Sequence, residues 1–526
     1  MTPREPRLAL EDIQGDVIPG FKNDCQTFLF YKLIDVARAR TWLASMHAEL
    51  STAEEVDQGN RLFSEMRRRR GADPDRLFFV WLNIALSATA LRALTASSDV
   101  DQFDDEAFKN GMAEGATALG DPAGSTSTWR VGGDAHPVDV VIVLASDHPE
   151  LIASQEQTID RAAQAAGLAL VDVERGRVLP GALAGHEHFG FKDGISEPAV
   201  RGTRSEAPED YFVPRTIPRT EPFEDYSLDY AAPGRTLIWP GHVLFGYGRQ
   251  DPAKGPRVVA DNLRPIGPAW ADNGSFMVFR RLRQDVRAFD TFVQDAAASL
   301  TASHPQAPFS ADLVGACLVG RWKSGTPIMR APREDLRITG EAANYFLYDN
   351  AVPGALPGDP APLAAADEGG TTCPAAAHIR KVNPRDSATD IGGAGKTVPK
   401  LILRRGIPYG EPYDAATPGS ADLDRGLLFV CFQSSIDNQF AFLMQRWTNQ
   451  DDRPVQLGVT GHDAVMGEPA RPRNFTFAIS PPATAMTLPD RWVSATGGEY
   501  FFMPSISFFR DTLGAVDTGH ARQLTA

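Results

Sequence analysis

An acid held between two glycines, Gly190-Phe191-Lys192-Asp193-Gly194 within HEHFGFKDGISEPAVRG, is the segment of this chain best suited to chemistry. Glycine adopts backbone angles closed to other residues and lets the chain approach a flat ligand closely. Pro198 biases the end of the segment away from helix. Such a turn can project the Asp193 carboxylate into a pocket, although an ordinary Asp-Gly turn is the plain alternative. Two downstream residues stand in equally distinctive settings. His378 lies in CPAAAHIRKVNPRD, where a run of small residues leaves room for a bulky planar partner. Arg404 lies in KLILRRGIPYG, where an apolar strand end can carry a guanidinium into a cavity. Arg405 then points the other way if the strand continues. A lone histidine is more often structural and a lone arginine more often solvated, so the three carry weight only together.

The elements that must position them follow from apolar periodicity. Gln26–Ile34 reads as a strand, with helical character after it to Leu50. Leu77–Ala85 suits a buried strand, and Ser87 caps the short helix that follows. Asp139–Ala145, His148–Ala166 and Leu168–Val173 read as strand, helix and strand. In the second half, strand Ser275–Leu282 precedes a helix with Val286, Phe289, Val293 and Ala296 on one face. Strand Gly426–Gln433 precedes another with Ile436, Phe440, Leu443 and Trp447, and both stripes read as core. The pattern predicts two α+β halves, each an antiparallel sheet with helices on one side. Gly202–Pro233 reads as an extended connection, and Ala351–Gly370 as a flap or interface arm.

Composition narrows the partners. A net charge of −15 over 526 residues argues against nucleic acid or an anionic membrane as the main partner. No apolar run reaches the ~18–20 residues of a membrane span, and the first residues show neither a signal-peptide core nor a twin-arginine. The four scattered cysteines form neither a zinc site nor a disulfide framework, so reduced thiols in the cytoplasm are expected.

GFKDG, AAHIRK and LILRRGIPYG, in that order, resemble the dye-decolourising peroxidase family of haem enzymes, in its longer branch of fungal and some bacterial members. LEDIQGDVIPGF (Leu10–Phe21), NGSFMVFRRLRQDV (Asn273–Val286), VGRWKSGTP (Val319–Pro327) and GLLFVCFQSS (Gly426–Ser435) agree, so the likeness spans nearly the whole chain. The resemblance implies two ferredoxin-like domains of the dimeric α+β barrel type. Residues 1–215 would carry the Asp193 turn, and residues 216–526 would chiefly hold one haem b. It makes Asp193 the distal acid–base, Arg404 the distal cation and His378 the sole protein ligand to iron. Gly194, Ile195, Ser196, Leu427 and Phe429 would line the haem pocket, and Arg321 would meet a propionate. Asp463, in GHDAVMGEP, would bond the proximal His, with Asp437 as the fallback.

The implied activity is reduction of hydrogen peroxide through a high-valent iron-oxo intermediate, with dyes, phenols or other organic reductants as electron donors. One carboxylate can take a proton from one peroxide oxygen and return it to the other. A fixed cation stabilises the charge that develops as the O–O bond stretches. A carboxylate on the far nitrogen of an iron-bound imidazole fixes its tautomer and raises its basicity. A carboxylate base also works in mild acid, where an imidazole is protonated, so an acidic optimum is expected. One rival is a protein that binds or transfers haem, or releases its iron, without peroxidase turnover. Asp193 and Arg404 together argue against it, because simple binding needs neither. The other rival is a non-haem enzyme with the three residues in unrelated sites. The oligomeric state and the physiological reductant stay open.

Overall fold

The computed structural model describes residues 5–71, 77–203, 212–216, 227–251, 255–455, 461–467, 473–479, 483–489 and 491–515. Most of the expected connection Gly202–Pro233 lies outside them. Of its described part, Phe212–Thr216 pairs antiparallel with Ser227–Ala231.

The first half runs β1 (Cys25–Leu33), α1 (Val36–Ser45), β2 (Trp81–Ser87), β3 (Val140–Ser146), α2 (Pro149–Ala165) and β4 (Leu168–Arg177). The second runs β5 (Ser275–Gln284), α3 (Val286–Ser303), β6 (Leu403–Arg404), β7 (Ile407–Tyr409), β8 (Gly426–Gln433) and β9 (Val493–Met503). With β6 and β7 counted as one strand position along β8, the fourth strand of each half lies beside the first, the first beside the third and the third beside the second, which is the ferredoxin-like order. The two expected sheets are a single one of nine strands, β6-β8-β5-β9-β2-β3-β1-β4 with β7 also on β8. They join where Phe501 and Phe502 of β9 pair with Ser87 and Leu86 of β2, which leaves neither strand as a bare edge.

The far edges approach one another. A Cβ on Gly176 of β4 would lie 2.2 Å from Ile407 Cγ2 of β7. Arg281 of β5 reaches Glu174 of β4 at 2.6 Å and donates to the Tyr409 hydroxyl of β7 at 2.9 Å. The sheet thereby curls into a barrel. Alternate residues such as Phe28, Phe30, Phe279, Val430 and Phe432 pack in one core. Leu29, Tyr31, Ile84 and Ile142 pack in another with residues of α1 and α2.

Three expectations change. The strand expected at Leu77–Ala85 begins at Trp81; Phe78 is exposed and makes a tilted ring contact with His148, and Phe79 stacks on Trp81, which itself packs against the core. The helix after β8 is one turn, Phe440–Phe442, continued by a π-helical turn, Leu443–Thr448. Ile436 precedes it, because Ser435, Asp437 and Asn438 spend their backbone N–H groups on the side chains of Gln439, Asp105 and Ser435. The loop 351–370 is tied down: Arg330 donates to the Ala361 and Pro362 carbonyls and to Asp359. Among the described residues no helix is long and apolar enough to cross a membrane, and all four cysteines are buried free thiols.

Candidate active site

The site is a cavity between the second-half sheet and a layer of short helical segments. Along β8, Leu427 and Phe429 line the cavity while Leu428, Val430 and Phe432 pack in the barrel core, as a period of two requires. Leu427 pairs with Leu282 and Phe429 with Arg280, so β5 extends the same wall. The opposite layer contributes His378, Phe440, Leu443, Met444 and Thr448. Phe440 and Leu443, expected as core, thus line the cavity as well as packing inward. An apolar pocket and an apolar core leave the same trace in periodicity. Asp193, Gly194, Ile195, Ser196, Arg321 and Arg404 also line it.

The Asp193 turn is a small hairpin. His186 bridges to Lys192, and the Asp193 N–H donates to the Gly185 carbonyl at 3.1 Å. Gly190 and Gly194 have φ of 87° and 71°, which glycine alone adopts without cost. Asp193 Oδ1 accepts from the Gly194 N–H at 2.6 Å and from Arg404 Nη1 at 3.1 Å. Arg404 enters from β6, paired to Cys431 of β8. Its Nη2 lies 2.6 Å from Glu197 Oε1, and its backbone N–H donates to Glu197 Oε2 at 2.8 Å. Burial works against the Arg404 charge, but Glu197 and then Asp193 outweigh it and raise its pKa. Glu197 was missed as a site residue, although an acid four residues after Asp193 and immediately before Pro198 was a usable signal. Replacing Glu197 with Gln removes about 1.5 kcal/mol of charge-assisted bonding, a loss of stability that urea denaturation should register.

Arg405 turns to the other side and donates to the Val17 carbonyl at 3.3 Å. Asp16, 1% exposed, lies in its field; burial pushes this carboxyl up to about 6, against the pull of Arg405 and the Phe21 N–H. A raised carboxyl adds stability that is full below its unfolded value and is lost as pH rises through the folded one. Relative to Asp16→Asn, the wild-type protein should therefore be more stable at pH 4 than at pH 8, by about 2 kcal/mol, in urea denaturation at the two pH values.

His378 opens the one-turn helix His378–Val382 after three buried alanines. The helix is moored by its charges: buried Arg380 donates to Asp367 and the Cys373 carbonyl, and buried Lys381 to the carbonyls of Trp447, Gln450 and Arg453. His378 Nδ1 lies 2.8 Å from Asp463 Oδ2, which leaves Nε2 for the cavity. Asp463 is fully buried, and its Oδ1 accepts the Val465 and Met466 N–H groups at 2.9 and 2.8 Å. Burial disfavours the charge of each partner, yet their mutual attraction and hydrogen bond prevail: Asp463 is lowered and His378 raised. The fallback Asp437 lies elsewhere, accepting the Glu106 N–H at 2.7 Å.

The residues present fit a haem. Among the described residues no group of three or more His, Cys, Asp or Glu side chains could hold a bare metal ion. At another part of the wall, buried Arg321 donates to the Gly325 and Ala343 carbonyls, Ser196 Oγ and Asn344 Oδ1, and to no carboxylate. Burial and then the Arg385 charge pull its pKa down to about 9, a cost that an anionic group in the cavity would offset. The buried Tyr348 hydroxyl, also in the wall, finds no hydrogen-bond partner among the described residues.

Residues 12–178 match the family described as the DyP dimeric alpha+beta barrel domain, and residues 244–458 the Dyp-type peroxidase C-terminal domain. A dye-decolorizing peroxidase of Mycetinis scorodonius is 33% identical over 96% of this chain and 88% of its own length. The structure of an ancestral D-type dye-decolorizing peroxidase superposes with a TM-score of 0.77 at 32% identity, covering 97% of this chain and 100% of that one. A dye-decolorizing peroxidase in complex with 2,6-dimethoxyphenol superposes with a TM-score of 0.72 at 29% identity, with the same coverage.

Proposed function

Because the chain belongs to the dye-decolourising peroxidase family and is a peroxidase, we propose that its cavity holds one haem b, with His378 as the only protein ligand to iron, and reduces hydrogen peroxide there. The observation that carries this reading is the Asp193–Arg404 pair, held by Glu197, in one cavity with the Asp463-bound His378. Haem, when bound, supplies the iron and conjugated ring that give two electrons to peroxide and recover them singly from an organic reductant.

This chain's residues do the rest. Asp193 takes the proton from one peroxide oxygen and delivers it to the other, which leaves as water. Its Oδ1 is already committed to Gly194 and Arg404, so Oδ2 is the oxygen free for the transfer. Arg404 opposes the negative charge that builds on the leaving oxygen, and Glu197 keeps it from swinging away. Asp463 fixes the His378 tautomer, so that Nε2 is a lone-pair donor, and raises its basicity. Leu427 and Phe429 keep the Asp193 side of the cavity dry and narrow. Arg321 and Tyr348, both in the cavity wall, would meet the propionates.

The domain division near Gly202–Pro233 is supported by the gap between the two matched regions, and the free thiols fit a reducing compartment such as the cytoplasm. Haem transfer or iron release without turnover has less support, because a relative matching 96% of the chain is named a peroxidase. Titration with haem should yield a Soret band at one equivalent, and the loaded protein should oxidise 2,6-dimethoxyphenol only when peroxide is present. Absence of uptake, or oxidation independent of peroxide, would overturn the proposal.

A further inference from the structure

We infer that Glu187 is a positioning residue for peroxide reduction: its carboxyl, anchored by Gln284, clasps the hairpin that carries Asp193 and holds Asp193 in register with Arg404. The inference rests on the role of Asp193 proposed above.

Among the described residues, every hydrogen bond this carboxyl accepts comes from an N–H donor. Glu187 Oε1 accepts from the Phe191 N–H at 2.8 Å, and Oε2 from the Phe189 N–H at 3.0 Å and from Gln284 Nε2 at 2.5 Å. The backbone closes the same loop, with the Glu187 N–H on the Phe191 carbonyl and the Gly190 N–H on the Glu187 carbonyl. The side chain therefore lies inside the hairpin and ties down its tip, two residues short of Asp193. Such surroundings demand an acceptor at both oxygens. A carboxyl supplies that, whereas a carboxamide of the same shape turns an NH₂ group against an N–H donor.

Gln284 explains why the tie matters for the distance to Arg404. It ends β5, the strand whose Leu282 and Arg280 pair with Leu427 and Phe429 of β8. Arg404 is attached to that same β8 through β6. Besides the direct contacts of Asp193 and Glu197 with Arg404, the two partners reach the cavity by separate attachments to adjacent strands, Arg404 through β6 and β8, Asp193 through the hairpin, Glu187, Gln284 and β5. Loosening the second lets Asp193 drift relative to Arg404 without disturbing His378 or its Asp463.

Haem-loaded Glu187→Gln should keep its Soret band and its KM for 2,6-dimethoxyphenol. Its bimolecular rate with peroxide should fall by ~10- to 100-fold, the scale of an ångström-sized misplacement. The double variant Glu187→Gln/Asp193→Asn should be hardly slower than Asp193→Asn alone, because a residue acting through another adds nothing once that other is gone. A wild-type peroxide rate in Glu187→Gln, or losses that multiply in the double variant, overturns the inference. Should Glu187→Gln fail to bind haem, Gln284→Met tests the same link with the hairpin amides left in place. It should slow peroxide reduction less severely and again without multiplying the Asp193→Asn loss, and a wild-type rate there also overturns the inference. If Asp193→Asn itself reacts as fast as wild type, the role of Asp193 falls. If Asp193→Asn is slow while the Glu187 and Gln284 variants are fast, only the clasp falls.

Discussion

Replacing Asp193 with Asn should slow peroxide reduction by about 10²–10⁴-fold, the usual worth of a general acid–base, and should leave haem binding intact. Asparagine fills the same space and still accepts from the Gly194 N–H and Arg404 Nη1, the two contacts Asp193 Oδ1 makes. What it cannot do is carry a proton between the two peroxide oxygens. Arg404→Leu should be damaging for a different reason. The guanidinium stays protonated and cannot accept a proton, but it would supply the positive charge that the leaving oxygen needs. Leucine also strands Glu197, which is 5% exposed and has its Oε1 against Arg404 Nη2. Stopped-flow mixing with peroxide, at matched haem content, separates slower chemistry from poorer loading.

His378→Ala should abolish stable haem retention and, with it, peroxidase activity. Alanine leaves no imidazole in the short helix to reach iron, the nitrogens of Arg380 and Lys381 being bonded elsewhere, and it leaves Asp463 fully buried without the partner that holds its charge. Asp463→Asn is the milder companion. It keeps a hydrogen-bond acceptor near Nδ1 but removes the charge, and about 10–100-fold in affinity or activity is the usual scale for such a partner. The loss in His378→Ala should exceed that range. Haem titration followed by gel filtration, with Soret absorbance read on the protein peak, measures both.

The short chemical segments were legible because their residue types are constrained by backbone geometry. Gly190 and Gly194 sit at positive φ, and the strand alternation that turns Arg404 and Arg405 to opposite sides is visible in the apolar run before them. Strands β1, β3, β5 and β8 fall within two residues of their expected bounds, because a strand buried on both faces is a continuous apolar run. The support of the site was less legible. Glu187 and Gln284 are 97 residues apart, and nothing local in either segment names the other. The preference for Asp463 over Asp437 rests on the resemblance alone, since both acids follow β8 and nothing local shows that the chain path brings one to His378 and the other to Glu106. The π-helical turn escaped because a stripe of Phe440, Leu443 and Trp447 fits a wider turn as well as a regular one. The joining of the two half-sheets depends on a two-residue pairing between β2 and β9, too short to leave a pattern.

The most direct test is the rate at which haem-loaded protein reacts with one equivalent of hydrogen peroxide, followed at the Soret band in wild type, Asp193→Asn and Arg404→Leu. The wild-type spectrum should change rapidly and return when 2,6-dimethoxyphenol is added, and both variants should show the same change far more slowly. Wild-type rates in both variants, with haem fully bound, would contradict the proposed chemistry of the Asp193–Arg404 pair.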